Sequence, residues 1–150
     1  SGIPVLYSGD EIAMENDYSY HDDPLKQVDS RYLHRGKFPW DKEKKKKKKG
    51  SIEERVYSGI LRLEQLRRKN RAFSSLADTW ILDAKNNHIL AFGRYYEGEK
   101  ILCFYNFSMF DEIAYVNEVE DYKDMLSGEK RKARNVQIPA HDFIWLKTSF

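Results

Sequence analysis

Apolar residues recur at two different spacings along the chain, and the change of spacing divides it. Ser51 and Glu54 form a capping-box pattern, and the apolar positions after them recur every three or four residues. This pattern predicts a helix over residues 52–70. The apolar positions of that helix are Ile52, Val56, Ile60, Leu63 and Leu66.

From Trp80 onward the apolar pattern has a period of two, which is typical of half-buried strands. Turn-forming residues separate the runs, and Asn86-Asn87, Gly98 and Ser127-Gly128 fall where hairpin connections are expected. Several short strands at this spacing predict an antiparallel β-sandwich. The predicted strands cover residues 80–83, 88–96, 100–108, 111–116, 121–126, 135–138 and 143–148.

The amino-terminal part carries one apolar run and then a long polar segment. Residues 2–7 read GIPVLY and are followed by the turn-forming Ser8-Gly9-Asp10, which is typical of a strand buried on both faces of a parallel sheet. Residues 10–50 show little helical or alternating periodicity. Loops of this length in a compact protein are usually functional or disordered.

Length and composition limit the class of protein. A chain of 150 residues can form one compact domain plus part of another, but a complete (β/α)₈ barrel needs roughly 200 residues or more. No apolar run approaches the roughly 20 residues that span a bilayer, so we expect no membrane partner. Cys103 is the only cysteine and cannot form an internal disulfide. The compartment therefore stays open, with the cytoplasm slightly favoured.

Six consecutive lysines, Lys44–Lys49, account for the positive formal charge of +2. A patch of this kind can bind nucleic acid or anionic lipid, because clustered lysines neutralise phosphates. The alternative is a solvated loop. The acidic flanks and the absence of a second basic stripe favour the loop, so no nucleic-acid partner is expected. The flanking acids are Asp41, Glu43, Glu53 and Glu54.

Four stretches resemble a known enzyme family. Residues 2–11, GIPVLYSGDE, resemble the eighth-strand motif of the α-amylase family, glycoside hydrolase family 13. Residues 16–18, NDY, and 29–35, DSRYLHR, resemble the long loop after that strand in amylosucrases and related sucrose hydrolases. Residues 138–146 resemble the final strand of the family's carboxy-terminal domain.

The resemblance implies a mainly β chain in two parts. Residues 1–75 would be the last strand, the long loop and the last helix of a (β/α)₈ barrel. Residues 76–150 would be the antiparallel β-sandwich at the carboxy terminus of the α-amylase family.

The resemblance also implies retaining chemistry at an α-glucosidic bond, which needs a nucleophilic carboxylate and an acid about 5 Å apart. In the family these groups come from barrel strands before the eighth. The chain is therefore expected to contain no catalytic residue, to need no cofactor and to be inactive alone. Its expected partners are the rest of the barrel and a sugar, either sucrose or an α-glucan.

The loop is where the resemblance implies substrate contacts. Arg31 would help form the bottom of the pocket for the glucosyl ring, together with Asp29, Asp17 and Tyr18. Asp10 and Glu11 would support the site from the end of the strand. Without the resemblance, a surface ion pair of Arg31 with Asp29 or Asp10 is the favoured interpretation.

The loop carries further acidic, histidine and aromatic residues, and their pattern does not suggest a metal site. Its aspartates do not have the spacing of an EF-hand, and its histidines lack the spacing of a zinc site, so His34 is expected to pack or hydrogen-bond within the loop. The aromatic residues either stack on sugar rings or close the loop. The groups meant are Asp17, Asp22, Asp23 and Asp29, His21 and His34, and Tyr18, Tyr20, Tyr32 and Trp40.

Two further interpretations concern the rest of the chain. The sandwich can be a carbohydrate-binding module that uses Trp80, Tyr95 and Tyr96, or a purely structural domain. The apolar stripe of helix 52–70 is expected to pack against the sandwich or to mediate self-association, because exposed apolar patches commonly become interfaces.

Overall fold

The computed structural model describes residues 4–148. They form two compact units, residues 4–65 and residues 66–148. Helix α1 covers Trp40–Lys45, and helix α2, Ile52–Lys69, begins in the first unit and ends in the second. Strands β1 to β8 cover Asp78–Ile81, Ile89–Tyr96, Glu99–Asn106, Glu112–Tyr115, Asp121–Asp124, Lys130–Lys132, Asn135–Ile138 and Phe143–Thr148.

Helix α2 confirms the helix predicted over residues 52–70. The Ser51 hydroxyl accepts the N–H of Glu54 at 3.1 Å, as a capping box requires. The Glu54 carboxylate accepts the N–H of Gly50, at 3.4 Å. At the other end the Asn70 side chain donates to the carbonyl of Leu66 at 2.6 Å. Within residues 4–148 no helix is long and apolar enough to cross a membrane.

Residues 4–50 fold as turns and short helices. Gly2 and Ile3 of the predicted strand lie outside the described residues, and residues 4–7 are exposed and not in a strand. A strand buried on both faces needs neighbours for its backbone hydrogen bonds, and none of the described strands pairs with residues 4–7. The polar segment forms 3₁₀ turns at Asp10–Ile12, Tyr18–Asp22 and Ser30–His34.

The lysine run begins in the last turn of α1 and continues through the turn that leads to α2. Lys46 pairs with Glu43 at 2.5 Å, and its ammonium group lies 5.0 Å from the centre of the Tyr57 ring. Lys45 lies 4.0 Å from the carboxylate of Glu53. Two of the flanking acids therefore neutralise part of the run.

Residues 78–148 form two antiparallel sheets, which confirms the predicted mainly β fold. One sheet has the strand order β1-β2-β3-β8-β5-β6, and the other pairs β4 with β7. A two-residue turn joins β2 to β3, with Tyr96 opposite Glu99. Both turn residues have positive φ, 47° at Glu97 and 82° at Gly98. This geometry matches the twist of the two strands, and Gly98 was expected at a hairpin.

The main core lies between the two sheets, and strand β3 is buried on both of its faces. Leu102 and Phe104 point into the main core. Ile101 and Cys103 point to the other face, where Ala72 and Phe73 cover them. All four β3 side chains are at most 1% exposed. The main core also contains Ala84, Ile89, Ala91, Ala114, Val116, Tyr122, Ala133, Val136, Ile138, Ile144 and Leu146.

The segment that leads from α2 into β1 is fastened to the outer face of the six-stranded sheet. Buried Arg94 donates to the carbonyl of Ala72 at 2.7 Å and to that of Ser74 at 2.8 Å. Glu99 accepts the N–H of Ala72 at 3.3 Å. A buried guanidinium is stable here because carbonyl oxygens take up its donors.

Strand β6 is the one described strand that the hydrophobic pattern misses. Its residues, Lys130–Lys132, are all basic, and it lies at the edge of the sheet. Edge strands are commonly short and charged, which protects them from pairing with other chains. The turn expected at Ser127-Gly128 is the connection from β5 to β6, with Gly128 at φ 80°.

Gly93 offers a test of the packing of edge strand β1. It lies opposite Trp80, and a Cβ atom at residue 93 would clash with the indole ring. We expect Gly93→Ala to destabilise the chain by about 1–3 kcal/mol, as overpacking does. Chemical denaturation measures this loss.

The matched control is Gly59→Ala. A Cβ atom at this helical position would have no neighbour within 4 Å. The variant should therefore gain up to about 1 kcal/mol from helix propensity. Equal effects of the two substitutions on the free energy of unfolding would contradict the packing of Trp80 on Gly93.

Candidate functional site

A cleft of about 450 Å³ opens among residues 7–35 of the first unit. The turn at residues 7–10 and the 3₁₀ turn Ser30–His34 contribute to its walls. Of the six predicted site residues, Asp10 and Arg31 line it. The other lining residues are Tyr7, Ser8, Met14, Glu15, Asn16, His34 and Arg35.

Hydrogen bonds hold together the two loop stretches that carry the family resemblance. The N–H of Asp17 donates to the carbonyl of Leu33 at 2.8 Å. Nδ1 of His34 lies 3.1 Å from Oδ1 of Asn16. The expectation that His34 bonds within the loop is thereby confirmed. Residues 16–18 and 29–35, which both resemble the family's long loop, are therefore also neighbours in space.

Asp10 and Glu11 fix the turn that forms one wall of the cleft. Asp10 accepts the N–H of Tyr7 at 3.0 Å, and Glu11 accepts the N–H of Gly9 at 2.9 Å. Gly9 has φ 104°, and a Cβ atom there would lie 2.6 Å from the sulfur of Met14. Only glycine fits this turn without strain. The two carboxylates thus shape the turn, while their support of a sugar site stays a prediction.

Arg31 and Asp29 form a bidentate ion pair beside the cleft. Nε of Arg31 donates to Oδ1 of Asp29 at 2.8 Å, and Nη2 donates to Oδ2 at 2.7 Å. Oδ1 also accepts the backbone N–H of Arg31 at 3.0 Å. These bonds from Arg31, led by those of its side chain, lower the pKa of Asp29 to about 2.

The ion pair fixes the direction of the guanidinium and leaves part of it for a ligand. A guanidinium carries five N–H donors in one plane. Asp29 takes up the edge formed by Nε and Nη2, and within residues 4–148 no acceptor bonds to Nη1. The Arg31 side chain is 71% exposed. It can therefore donate to hydroxyl or carboxylate oxygens without breaking its bond to Asp29.

Asp17 and Tyr18 lie outside the lining of this cleft. Asp17 caps the 3₁₀ turn Tyr18–Asp22, accepting the N–H of Ser19 at 3.0 Å and its hydroxyl at 2.6 Å. The Tyr18 ring is 64% exposed. Asp17 is therefore engaged with the chain itself, and only Tyr18 presents an open surface.

The other loop aromatics fall into two groups. Tyr20 is buried, and its ring centre lies 4.1 Å from that of His21 with the rings tilted by 32°, so it closes the loop. Trp40 is 71% exposed and makes an edge contact with Phe38. Across residues 4–148, no group of three or more His, Cys, Asp or Glu side chains is placed to hold a metal ion.

The three aromatics named for a carbohydrate-binding sandwich do not form one platform. Trp80 packs on Gly93 and against the main core. Tyr95 points to the same face of the sheet as Trp80, whereas Tyr96 follows it in β2 and points to the opposite face. A flat sugar-stacking surface would need their rings on one side.

Sequence reasoning missed several lining residues of the cleft. Asn16, His34 and Arg35 stand inside the stretches that resemble the family, so their neighbours already signalled them. Tyr7 and Ser8 lie in the stretch 2–11, which also resembles the family, whereas Met14 and Glu15 carried no such signal. Their place in the cleft depends on the fold of the turn, which a motif does not encode.

Known proteins resemble this chain both in sequence and in fold. No family model matches the chain. The cyclomaltodextrinase of Thermoanaerobacter pseudethanolicus is 29% identical over 133 residues, which cover 87% of this chain and 19% of that protein. The structure of the maltogenic amylase of S. marinus covers 96% of this chain and 17% of its own, with a TM-score of 0.61 and 20% identity.

The chain has the fold of the C-terminal region of α-amylase family enzymes. A variant of the trehalulose synthase MutB, in complex with Tris, matches 62% of the chain and 18% of its own, with a TM-score of 0.53 and 18% identity. The chain thus spans about a fifth of the length of these relatives. The predicted C-terminal β-domain is confirmed, whereas the closer resemblance to amylosucrases stays a prediction.

The ion pair of the cleft predicts an acid titration. Asp29 has a pKa lowered to about 2, so the stabilising contact is present above the ordinary aspartate pKa and is lost as pH falls through about 2. We expect Arg31→Ala to raise the Asp29 midpoint, though not fully, because the backbone N–H bond remains. The NMR chemical shift of the Asp29 side-chain carboxyl carbon, followed against pH, measures this midpoint.

Asp17 is the internal control, because its pKa is lowered first by the Ser19 hydroxyl and not by Arg31. Its midpoint should stay unchanged in Arg31→Ala. An unchanged midpoint for Asp29 in the variant would mean that the ion pair does not form in solution.

Proposed function

We propose that this chain is the C-terminal part of a larger α-amylase family enzyme that hydrolyses or transfers an α-glucosyl group. The similarity to cyclomaltodextrinase over 87% of the chain carries the proposal. The fold match to maltogenic amylase over 96% of the chain supports it independently. In this proposal residues 4–65 supply one wall of the substrate site, and residues 78–148 are a structural domain.

The acidic residues that line the cleft are consistent with a chain that supplies no catalytic group to the enzyme. A general acid in a glycosidase needs a raised pKa, which burial in an apolar site provides. Asp10 is exposed and bonded to the N–H of Tyr7, and Glu15 is 87% exposed and paired with Lys42. Both carboxylates are exposed and bonded within the chain, so the catalytic pair is proposed to come from the rest of the enzyme.

Arg31 is the proposed substrate contact of this chain. Its fixed guanidinium has free donors on Nη1, and a planar fork holds sugar hydroxyls in one geometry. Asp29 orients it through two parallel bonds, at 2.8 Å and 2.7 Å. Asp17 is proposed to stiffen the neighbouring turn, and Tyr18 to contact the sugar through its exposed ring.

The substrate is proposed to be sucrose or an α-glucan. Sucrose rests on the resemblance of residues 29–35 to amylosucrase-like loops. An α-glucan rests on the names of two relatives, a cyclomaltodextrinase and a maltogenic amylase. The shared chemistry is an α-glucosyl group, which both substrate classes present to the same kind of pocket.

The purified chain is expected to show no turnover, because the pair of carboxylates that the chemistry needs is proposed to lie in the rest of the enzyme. Sugar release from sucrose, maltotriose and cyclomaltodextrin measures this. Arg31→Ala serves as the matched protein and should behave identically. Turnover by the unmodified chain that Arg31→Ala abolishes would show that a catalytic site exists within these 150 residues.

A chimera tests the role of Arg31 in an active enzyme. This chain replaces the segment of cyclomaltodextrinase that aligns with it, and Arg31→Lys is compared with Arg71→Lys, which alters an arginine paired with Glu97 outside the cleft. Arg31→Lys should raise KM about tenfold, because lysine lacks the planar fork. Equal KM values for both variants would contradict a substrate contact at Arg31.

The same chimera separates the two substrate classes. If residues 29–35 carry sucrose specificity, the chimera should release more fructose from sucrose than the parent cyclomaltodextrinase does. Retention of maltodextrin cleavage without any gain on sucrose would overturn the sucrose proposal and leave an α-glucan as substrate.

A further inference from the structure

The register of three neighbouring strands places three lysines in one row across the sheet. Lys123 lies opposite Lys130 in the β5–β6 pair and opposite Lys147 in the β5–β8 pair. We call these three residues the lysine row. Directly opposite side chains on antiparallel strands lie on one face with Cβ atoms about 5 Å apart, and like charges there are destabilising.

Only one member of the lysine row has an acidic partner among residues 4–148. Lys147 donates to Glu99 at 2.7 Å and to the side-chain oxygen of Asn70 at 2.9 Å. No carboxylate in that range lies within ion-pair distance of Lys123 or Lys130.

The acids beside the row are bonded to other cations. Asp121 pairs with Lys132, and Glu129 pairs with Arg131 at 3.2 Å. Asp124 points to the opposite face of β5 and is buried. Asp121 also acts on the charge of Lys130, but it is already paired with Lys132, so the mutual repulsion of Lys123 and Lys130 is only partly offset.

The lysine row borders a cleft of about 760 Å³ within the second unit. This volume lies in the range of roughly 300–1,000 Å³ that small-molecule sites occupy. Leu66 and Met125 give the cleft apolar surface, and Asn70 gives it a polar group. The remaining lining residues are Asp124, Leu126, Ser127, Gly128 and Thr148.

The turn at residues 126–128 gives this cleft a fixed wall. Asp124 accepts the N–H groups of Leu126 at 2.8 Å and Ser127 at 3.2 Å, and its carbonyl accepts the N–H of Gly128 at 2.8 Å. The backbone donors of the turn are therefore used within the chain. The charged donors left for a ligand are the ammonium groups of Lys123 and Lys130, since Lys147 is bonded to Glu99 and Asn70.

We propose that this cleft binds a small phosphate-bearing ligand through Lys123 and Lys130, with Lys147 at its edge. Two ammonium groups without acidic partners match the charge of close to −2 that a phosphate monoester carries at neutral pH. Lysine is a common phosphate binder that acts as a point charge with three donors. A ligand of this charge also removes the repulsion between the two lysines. The proposal does not depend on the substrate of the proposed enzyme.

Calorimetric titration of the full chain tests the site, with inorganic phosphate, glucose 6-phosphate and glucose as probes. The chain should bind at least one of the phosphate probes and not glucose. Lys123→Gln/Lys130→Gln should weaken that binding at least about tenfold, since hydrogen bonds to charged groups are lost. Lys48→Gln/Lys49→Gln removes the same charge from the lysine run and should leave the affinity unchanged.

Equal weakening by both double variants would reduce the effect to overall charge and overturn the site. Binding of glucose as tight as that of glucose 6-phosphate, or no saturable binding of either phosphate probe, would overturn it as well.

Thermal unfolding gives a second readout that does not depend on titration heats. Without phosphate, Lys123→Gln/Lys130→Gln should be at least as stable as the unmodified chain, because the like charges are gone. The phosphate probe that binds, at ten times its Kd, should raise the Tm of the unmodified chain by about 3 °C. The same rise in Tm for the double variant would overturn the proposal.

Discussion

Burial of β3 on both faces is the constraint on which the β-domain depends. Its alternating side chains enter two cores, so Leu102 and Phe104 require the β4–β7 sheet on one side. Ile101 and Cys103 require Ala72 and Phe73 on the other. β3 also needs β2 and β8 for its backbone hydrogen bonds. A shift by one residue would exchange Leu102 and Phe104 with Ile101 and Cys103, so each core would receive side chains of a different size and shape.

The outer cover of β3 links the helix to the sheet. Residues 70–74 lie on β3 because Arg94, Glu99 and Lys147 bond to them. Burial raises the pKa of the Cys103 thiol to about 12, so this sulfur stays protonated and acts as a small apolar side chain. This thiol therefore belongs to the packing beneath Ala72 and Phe73.

Much of the fold follows from local patterns in the sequence, and the candidate site does so only in part. Alternating burial underlies the prediction of β8 and of the first half of β2, whereas β3 is buried on both faces and was predicted from its β-forming residues. The basic strand β6 has no alternation of apolar and polar residues. It is a strand because it pairs with β5, and not because it buries apolar side chains. The sequence alone suggested an ion pair of Arg31 with either Asp29 or Asp10. The geometry of the 3₁₀ turn Ser30–His34 was needed to identify Asp29 as the partner.

The central proposal for this chain is that it belongs to a longer enzyme. The relatives are about five times as long as the chain, since it covers 19% and 17% of two of them. The most direct measurement is the mass of the native polypeptide, detected with an antibody raised against residues 78–148. We predict a single polypeptide several times the 17.8 kDa of this chain. A native polypeptide of 17.8 kDa would contradict the claim.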